Sequence, residues 1–396
     1  MKGTVAFGGK TYHKVGALVA ILASILWLRQ PSVGNVDPDA ERSVTEIIAD
    51  KGYPVQEYAV TTRDGYVLPL QRIPYGRHEL RSSSSSPHRF HPGPPVILMH
   101  ALLFSSYVWV VNGPDQSLPY ILADAGFDVW LGNVRGNSQS RHVNYTFYQK
   151  ELWDFSFEEM SEFDLPDTID FVLNVTSHNK TFIIGHSMGA ATTFVLLTEK
   201  PEYNDKILLF SAMAPAVRIH NMTSQIRHIL PFIGDLAPVA ALFGRYDFLY
   251  HDRLIDFTVK TLCRYPVCRA FCPWFISFAS GQQTQPINAT RLPVFLKDVP
   301  SGTSYKNMIH MTQATPPEYD LRRVSAPVAL FWTQGDALVS AANLGFLRDT
   351  LPNLVLDFRV EDDRFSHQEF AIGVTAKEAV YDGLVEVMRR YSGKTS

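Results

Sequence analysis

The sequence predicts an α/β protein, with a mostly parallel central sheet covered by helices and a helical insertion in its second half. Apolar, strand-like runs alternate with helix-like runs through most of the 396 residues. This alternation is typical of a parallel sheet that is covered on both faces. Between Arg218 and about Thr312 the alternation stops and aromatic residues become dense. Such a break indicates an insertion into the sheet domain.

The first predicted strands form a hairpin. An apolar run at residues 58–62 leads to Arg63-Asp64-Gly65, and a second run follows at 66–73. Asp-Gly between apolar runs is a strong hairpin signal. Further strands are predicted at 96–103, 127–134, 181–185, 206–214, 327–335 and 356–360, and helices at 157–173 and 377–391. Acidic residues begin the first of these helices and suit the positive end of its dipole. They are Glu158, Glu159, Glu162 and Asp164.

The central motif is Gly185-His186-Ser187-Met188-Gly189. Apolar residues from Thr181 lead into it, and a helix-forming run from Ala190 to Leu197 follows. In a G-x-S-x-G turn between strand and helix, the serine has a strained backbone and an exposed hydroxyl, and larger side chains at the glycine positions would clash. An ordinary glycine-rich turn is the competing interpretation. The strand and helix on either side favour Ser187 as a catalytic nucleophile.

Ser187 needs a base, because a serine hydroxyl is a poor nucleophile until its proton is removed. In enzymes with this turn, an acid and then a histidine follow the serine along the chain. Asp336 lies at the end of an apolar strand, and His367 comes after the last predicted strand. We therefore expect Asp336 to orient the imidazole of His367, which acts as the general base. Asp362 and Asp363 are rivals for the acid role, but neither follows a separate strand.

The developing oxyanion needs backbone N–H donors. One is expected from Met188, directly after the nucleophile, and the other from the loop that follows an early strand. Here that loop is His100-Ala101-Leu102, and Leu102 is the predicted second donor. His100 and His186 belong to these two turns, so neither is predicted to be the base.

Composition and charge exclude several function classes. A net charge of −3 gives no basis for nucleic-acid binding, and no metal-ligand spacing such as H-E-x-x-H occurs. No metal, cofactor or required protein partner is therefore expected. Hydrophobic residues make up 46% of the chain, which is ample for the core of one large domain with an insertion.

The N-terminus carries three lysines and then an apolar run from Val15 to Leu28. This run is too short to cross a bilayer comfortably but suits the core of a signal peptide. Residues 1–34 are therefore predicted to be a signal peptide or an uncleaved signal anchor. Both interpretations place the protein in the secretory pathway.

Sequons and cysteines agree with a secretory route. Candidate N-glycosylation sites follow the leader at Asn144, Asn174, Asn179, Asn221 and Asn288. The three cysteines, Cys263, Cys268 and Cys272, lie in one short stretch. In an oxidising compartment they allow one local disulfide and one spare thiol.

Further motifs extend along the chain from about Val44. They are Gly-Tyr-Pro at 52–54, Arg-Asp-Gly-Tyr-Val-Leu at 63–68, Arg-Ile-Pro-Tyr-Gly-Arg at 72–77, the stretch 121–133, Arg-Gly-Asn at 135–137, Asp-Leu-Pro at 164–166, Gly-Thr-Ser at 302–304 and Thr-Pro-Pro at 315–317. With the serine turn, they resemble the acid lipase family, which includes gastric lipases and lysosomal acid lipase. The resemblance implies an α/β-hydrolase fold with a cap and a mobile lid, and hydrolysis of triacylglycerols or cholesteryl esters. It also implies Ser187, Asp336 and His367 as the catalytic triad.

The chain departs from the family pattern at a few positions. The family usually has His-Gly-Leu where this chain has His100-Ala101-Leu102, and glutamine where it has Met188. The spacing of Cys263 and Cys272 matches the family's disulfide pair. The segment that follows His310 is shorter than the aromatic segment usual in the family, so a piece of the cap is missing.

These expectations define a domain plan and a function. Residues 35–217 and 313–396 form the hydrolase core, and residues 218–312 form a cap between them, with a lid within about Gly244 to Cys272. The predicted function is a secreted or lysosomal lipase that acts on neutral lipid at an oil–water or membrane interface. An esterase or thioesterase acting on shorter, soluble acyl substrates is the alternative, because a reduced cap would permit them. A non-catalytic lipid carrier is disfavoured, since all three triad positions are filled.

Overall fold

The structure is a computed structural model that describes residues 37–77, 92–217, 222–257, 288, 290–311 and 319–393. The chain divides into two units, residues 1–38 and 39–396, and every element below lies in the second. The predicted leader, Asn221 and the cysteines Cys263, Cys268 and Cys272 lie outside the described residues. Within the described part, no helix combines the length and apolarity needed to cross a membrane.

The described residues contain eleven strands. They are β1 (Gln56–Thr61), β2 (Tyr66–Ile73), β3 (Pro95–Met99), β4 (Asp128–Leu131), β5 (Arg141–His142), β6 (Thr181–His186), β7 (Ile207–Met213), β8 (Asp247–Phe248), β9 (Thr303–Ser304), β10 (Val328–Trp332) and β11 (Leu354–Arg359). Nine of them form one sheet, in the spatial order β1-β2-β4-β3-β6-β7-β10-β11 with β5 beside β2, while β8 pairs with β9. Every strand predicted for the core is present, so the predicted α/β class is confirmed.

The sheet is parallel from β4 to β11. At its other edge β1 and β2 pair antiparallel, with Val60 opposite Leu68, and this confirms the predicted hairpin. The carboxyl ends of parallel strands meet at one edge of a sheet, which is where α/β proteins bind their ligands. The loops that follow β3, β6, β10 and β11 therefore converge, and these loops carry the predicted site residues.

Helices and two apolar layers enclose the sheet. The helices are α1 (Val44–Asp50), α2 (Leu118–Asp124), α3 (Phe157–Glu159), α4 (Leu165–Thr176), α5 (Met188–Glu199), α6 (Ile233–Leu242), α7 (Leu292–Leu296), α8 (Tyr305–Met311), α9 (Ala341–Thr350), α10 (Glu369–Ile372) and α11 (Asp382–Tyr391). Ile97 and Ile183 belong to one buried cluster, and their neighbours Leu98 and Ile184 to the other. Successive side chains of a strand point to opposite faces, so the two clusters lie on the two faces of the sheet.

The helix predicted at 157–173 is interrupted. Helix α3 begins at a capping box formed by Ser156 and Glu159. A π turn, Met160–Asp164, then separates α3 from α4. A π turn inserts one residue into the helical register, and such a shift leaves no clear mark on the apolar periodicity of the sequence.

Asp164 stands at the N-terminus of α4, as the helix-dipole interpretation expects, but it also has a partner that was not predicted. Asp164 is fully buried and accepts a hydrogen bond from Nη2 of Arg135 at 2.7 Å. Burial opposes the charge of Arg135, but the carboxylates of Asp164 and Asp64 outweigh it and raise the arginine pKa. The sequence separates these partners by about 30 residues, so spacing along one helix could not reveal the pair.

The predicted insertion at 218–312 contains both helix and strand among its described residues. Helices α6, α7 and α8 fit the helical insertion that was predicted. The pairing of β8 with β9, with Asp247 opposite Ser304, was not predicted. Strands of two residues are too short to leave an alternating pattern in the sequence. The division into core and cap stays a prediction.

Candidate active site

Ser187 lies at the turn between β6 and α5, as predicted. Its backbone has φ of 56° and ψ of −111°, a conformation that residues other than glycine rarely adopt. Such strain persists only where the surroundings enforce it. The backbone N–H of Ser187 donates to the carbonyl oxygen of Met213 in β7 at 3.0 Å, and this bond ties the turn to the sheet.

The two glycines of the motif are required by close packing. A Cβ on Gly185 would lie 2.7 Å from the Cα of Ala190, and a Cβ on Gly189 would lie 2.5 Å from the carbonyl oxygen of Met99. Both distances are far below a van der Waals contact. The strand, turn and helix predicted around Ser187 therefore have the geometry of a nucleophile turn.

The structure brings His367 and Asp336 together. The imidazole Nδ1 of His367 lies 2.7 Å from Oδ2 of Asp336, and both side chains are buried. The other carboxylate oxygen, Oδ1, accepts the backbone N–H groups of Leu338 and Val339 at 2.8 and 2.9 Å. Because the carboxylate accepts a hydrogen bond from Nδ1–H, the imidazole Nε2 is left free to act as a base.

Gly335 allows the acid loop and the histidine loop to meet. A Cβ at this position would lie 2.3 Å from the carbonyl oxygen of Asp363 and 2.6 Å from that of Phe365. The hydroxyl of Thr333 also donates to the carbonyl of Phe365 at 3.0 Å. Sequence reasoning missed both contacts, although a glycine directly before a predicted catalytic acid was the available signal.

The rival acids lie apart from the imidazole. Asp362 pairs with Arg364 at 3.2 Å, and Asp363 pairs with Arg359, all at the protein surface. Their local arginine partners explain why two acids stand so close to His367 in the sequence. The geometry therefore favours Asp336 over both rivals.

His186 connects the serine turn to the histidine loop. Its Nε2–H donates to the backbone carbonyl of His367 at 2.9 Å, and the two rings lie 5.0 Å apart. Burial, with a smaller contribution from the neighbouring His367, lowers the pKa of His186 well below its usual value. No hydrogen bond joins the Ser187 hydroxyl to His367 among the described residues, and catalytic hydrogen bonds often close only when substrate binds.

The loop after β3, residues 100–105, is called the oxyanion loop below. Among the described residues, the backbone N–H groups of Leu102 and Met188 donate to no protein acceptor. Met188 is the first residue of α5, where a helix leaves its N–H groups without internal partners. Both predicted donors are therefore available to an oxyanion.

The oxyanion loop is held by His100 and Asn137. The Nδ1–H of His100 donates to the carbonyl of Ala101 at 2.9 Å, and Nε2 accepts from Nδ2 of Asn137 at 3.2 Å. Burial lowers the pKa of His100 to about 4, so the ring is neutral. Leu103, and not Ala101, has the positive φ of this loop, at 62°. Alanine in place of the family's usual glycine therefore causes no backbone strain. The contribution of Asn137 was missed, because only its position in an Arg-Gly-Asn motif marked it.

The remaining predicted sites lie at the surface or outside the described part. Asn144, Asn174 and Asn179 are exposed, and Asn288 is partly buried. Glycosylation of these residues stays a prediction, as does that of Asn221 and the disulfide between Cys263 and Cys272. Within the described ranges, no group of three or more His, Cys, Asp or Glu side chains could hold a metal ion.

Two family models match the chain. One, described as the alpha/beta hydrolase fold, covers residues 94–369. The other, described as a partial alpha/beta-hydrolase lipase region, covers residues 44–113. Together they span the core strands and all of the predicted site residues.

Curated relatives match over almost their full length. The chain is 33% identical to human lipase member K, covering 90% of this chain and 93% of the relative. It is 34% identical to mouse lipase member M, covering 96% and 94%. It is also 32% identical to human lysosomal acid lipase/cholesteryl ester hydrolase, covering 96% and 100%.

Solved structures share the fold. A putative lipase from Acinetobacter baumannii superposes with a TM-score of 0.55 at 13% identity, covering 92% of this chain and all of the other. A thermophilic esterase from Thermogutta terrifontis superposes with a TM-score of 0.51 at 17% identity, covering 85% and 99%. With the relatives above, these matches show that the chain belongs to the acid lipase family of α/β hydrolases.

Proposed function

We propose that this protein is a lipase that hydrolyses the carboxylic ester bonds of neutral lipids, triacylglycerols or cholesteryl esters, through Ser187, His367 and Asp336. The observation that carries the proposal is the 2.7 Å contact between His367 and Asp336 beside the strained serine turn. The names of the relatives, lipases and a cholesteryl ester hydrolase, support the substrate class.

In the first half of the reaction, Ser187 Oγ attacks the ester carbonyl carbon while Nε2 of His367 takes the hydroxyl proton. Asp336 stabilises the imidazolium that forms. The carbonyl oxygen becomes an oxyanion, and the N–H groups of Leu102 and Met188 donate to it. Nε2 then gives the proton to the leaving alcohol as the ester bond breaks, which leaves an acyl group on Ser187.

In the second half, water attacks the acyl-enzyme. His367 removes a proton from this water and returns it to Ser187 Oγ as the acid is released. The same two N–H donors stabilise the second tetrahedral intermediate. Three residues and two backbone groups thus complete both halves of the cycle.

An exposed apolar face on α6 supports a lipid surface as the partner. Leu236 and Val239 lie on α6, and Phe232 and Phe243 cap its two ends. The four residues are spaced by four, three and four positions, which places them on one side of the helix. Phe243 is 80% exposed and Phe232 is 61% exposed. Contiguous exposed apolar surface marks interaction sites, and a neutral lipid surface offers no charge that this face would have to pair.

Helix α8 lies between α6 and the serine turn and contacts both. A Cβ on Gly234 of α6 would lie 4.0 Å from a side-chain carbon of Ile309 in α8. In turn, Nδ2 of Asn307 in α8 lies 3.6 Å from the sulfur of Met188. The apolar face is therefore connected to the oxyanion donor through one intervening helix. We propose that the lid lies within about Gly244 to Cys272, of which residues 244–257 are described.

The alternative is an esterase or thioesterase for short, soluble acyl substrates. The short segment after His310 favours it, because a reduced cap would leave the site open. Assays on emulsified triolein, emulsified cholesteryl oleate and soluble p-nitrophenyl butyrate separate the two functions. A lipase should hydrolyse at least one emulsion, with a rise in rate as the substrate passes its solubility limit. Activity confined to the soluble ester, with smooth saturation, would favour the esterase.

We also propose a secreted or lysosomal location. The exposed asparagines Asn144, Asn174 and Asn179 and the lysosomal acid lipase relatives support it. Protein expressed in animal cells should lose mass when treated with an N-glycosidase. An unchanged mass together with a cytosolic location would contradict this proposal.

A further inference from the structure

We propose that Asp298 is a positioning residue that holds the oxyanion loop in the geometry needed for ester hydrolysis. The inference rests on the proposed function, because it assigns Asp298 an effect on the same reaction. Asp298 touches no group of the triad. It acts through serine hydroxyls that bind the loop.

The carboxylate of Asp298 is buried and accepts hydrogen bonds from three serine hydroxyls. Ser105 and Ser301 donate to Oδ2, and Ser138 donates to Oδ1; the Ser301 bond is 3.2 Å long. Nε2 of Gln139 also donates to Oδ1, at 3.4 Å. Among the described residues, no lysine or arginine forms a salt bridge with this carboxylate. Burying a carboxylate whose hydrogen bonds come from neutral donors costs free energy. This cost indicates that the hydrogen bonds it accepts have a structural or catalytic role.

Burial raises the pKa of Asp298, and the hydroxyls of Ser105 and Ser138 act in the opposite direction. His251 is the nearby group whose positive charge would also stabilise the carboxylate. The imidazole Nδ1 of His251 lies 3.1 Å from the carbonyl oxygen of Pro300, the residue directly before Ser301. The acceptor role of Asp298 depends on these contacts and not on a single ion pair.

Each serine around Asp298 reaches the oxyanion loop by a different route. Ser105 ends the loop, and its Oγ also accepts the N–H of Tyr107 at 3.2 Å. The backbone N–H of Ser301 donates to the carbonyl of Leu103 at 2.7 Å. Ser138 follows Asn137, the residue that binds His100 at the start of the loop. The start, middle and end of the loop are thus tied to one carboxylate.

The loop needs such support because Leu103 has a φ of 62°. A positive φ costs free energy in a residue with a Cβ and persists only where surrounding contacts enforce it. The adjacent Leu102 carries the proposed oxyanion donor. A shift of about 1 Å in a group that stabilises the transition state can cost about 100-fold in rate. Loosening the loop should therefore impair catalysis more than substrate binding.

The test compares Asp298→Ala, Asp298→Asn and a control, Asp128→Asn, in the full-length protein. Asp128 is also fully buried, and each of its carboxylate oxygens accepts a hydrogen bond from Arg72 at 2.8 Å. It begins β4, so it lies at the amino ends of the parallel strands, whereas the site loops follow their carboxyl ends. Rates on soluble p-nitrophenyl butyrate give kcat and KM without interfacial effects. Inhibition by an alkyl trifluoromethyl ketone reports on the oxyanion site, since its adduct resembles the tetrahedral intermediate.

Asp298→Ala should lower kcat by about tenfold or more and raise the inhibition constant of the ketone by a similar factor. KM should change by less than about threefold. Asp298→Asn retains one acceptor oxygen and should fall between wild type and alanine. Asp128→Asn should lower the melting temperature and leave kcat and ketone inhibition unchanged.

A folded Asp298→Ala enzyme with wild-type kcat and ketone inhibition would overturn the inference and leave the proposed function intact. A parallel loss in Asp128→Asn would also overturn it, because the effect would then be general destabilisation. If Asp298→Ala does not fold, Ser105→Ala removes a single donor and should show a smaller loss of the same kind; wild-type kcat in that variant would count against the inference. Wild-type protein inactive on every ester would refute the proposed function and the inference together.

Discussion

At the scale of single residues, the site depends on neutral imidazoles held in fixed orientations. His186 and His100 are buried, and burial lowers the pKa of each. Each donates a hydrogen bond from one ring nitrogen to a backbone carbonyl of a catalytic loop. Of these three rings, His367 alone combines a carboxylate partner on Nδ1 with an Nε2 that is left for chemistry. The three rings thus differ in function because of their partners, although all three are buried histidines.

Replacing Asp336 tests this assignment. Asp336→Asn should retain the fold but favour the wrong imidazole tautomer, and kcat should fall by roughly 10⁴-fold if the pair behaves as in other triads. The matched control is Asp362→Asn, which removes a partly exposed acid a few residues before His367 and should leave kcat within about twofold. Steady-state rates on a soluble ester measure both. Near-wild-type activity in Asp336→Asn would move the acid role elsewhere.

The predicted triad came from the serine turn, the chain order of its partners, their positions after predicted strands and the family resemblance, and the structure brings its acid and base together. What spacing could not supply was the set of contacts that supports them. Asp298 binds residues 105 and 138, far away in the sequence, and no local pattern marks such a convergence. Asn137 and Gly335 carried faint local signals. Their meaning depended on which loops the sheet order places side by side.

At the scale of elements, strands were easier to predict than helix interruptions. Buried strands such as β6 are continuous apolar runs, which parallel sheets produce directly. The π turns at Met160–Asp164 and Lys377–Tyr381 fall inside helices predicted as unbroken. The short pair β8 and β9 depends on contacts between segments more than 50 residues apart. Local sequence carries little information about either feature.

The exposed apolar face of helix α6 is expected to contact the lipid surface. Replacing Leu236 and Val239 with aspartate places charges on its exposed apolar face, and desolvating them at a lipid surface costs free energy. The double variant should hydrolyse emulsified triolein at least about tenfold more slowly, a change equivalent to about 1.4 kcal/mol. Hydrolysis of soluble p-nitrophenyl butyrate should stay close to wild type.

The control for this experiment is Val355→Asp, which replaces an exposed valine, 38% exposed, on the edge strand β11. Val355→Asp should leave the rate of hydrolysis of both substrates unchanged. Equal loss on both substrates in the α6 variant would indicate damage to the fold or the site. Unchanged emulsion activity would show that this face does not contact lipid.

At the scale of the whole molecule, a buried carboxylate near the start of the described chain links distant segments. Asp39 pairs with Arg42 at 2.8 Å, Lys51 at 2.7 Å and Arg291 at 2.6 Å. Arg291 lies in the predicted insertion, about 250 residues later in the chain. Burial alone would raise the pKa of Asp39, but hydrogen bonds from Lys51, Arg42 and Arg291 lower it from 3.8 to about 2.

This depressed pKa predicts how stability changes with pH. A carboxyl group whose pKa is lower in the folded state stabilises the fold above its unfolded pKa, and this contribution is lost as pH falls through the folded pKa. For Asp39 the window runs from about pH 4 down to about pH 2. Asp39→Asn should therefore lower the free energy of unfolding at pH 7 by about 2 kcal/mol. The difference from wild type should shrink below about pH 4.

Urea unfolding at pH 7, 4 and 2.5 measures this difference. Asp205→Asn, a change at an exposed position, serves as the control and should leave stability nearly unchanged at each pH. A difference between Asp39→Asn and wild type that stays constant across the range would contradict the account of this ion cluster.

The proposed mechanism requires Ser187 to form the acyl-enzyme. Incubating wild-type protein with a fluorophosphonate probe, and mapping the adduct by mass spectrometry, tests it most directly. We expect one equivalent of label on the peptide that contains Ser187, with loss of ester hydrolysis in proportion to labelling. Ser187→Ala should fold with an unchanged melting temperature, take up no label and hydrolyse no ester. Label on another residue, or ester hydrolysis that survives in Ser187→Ala, would contradict it.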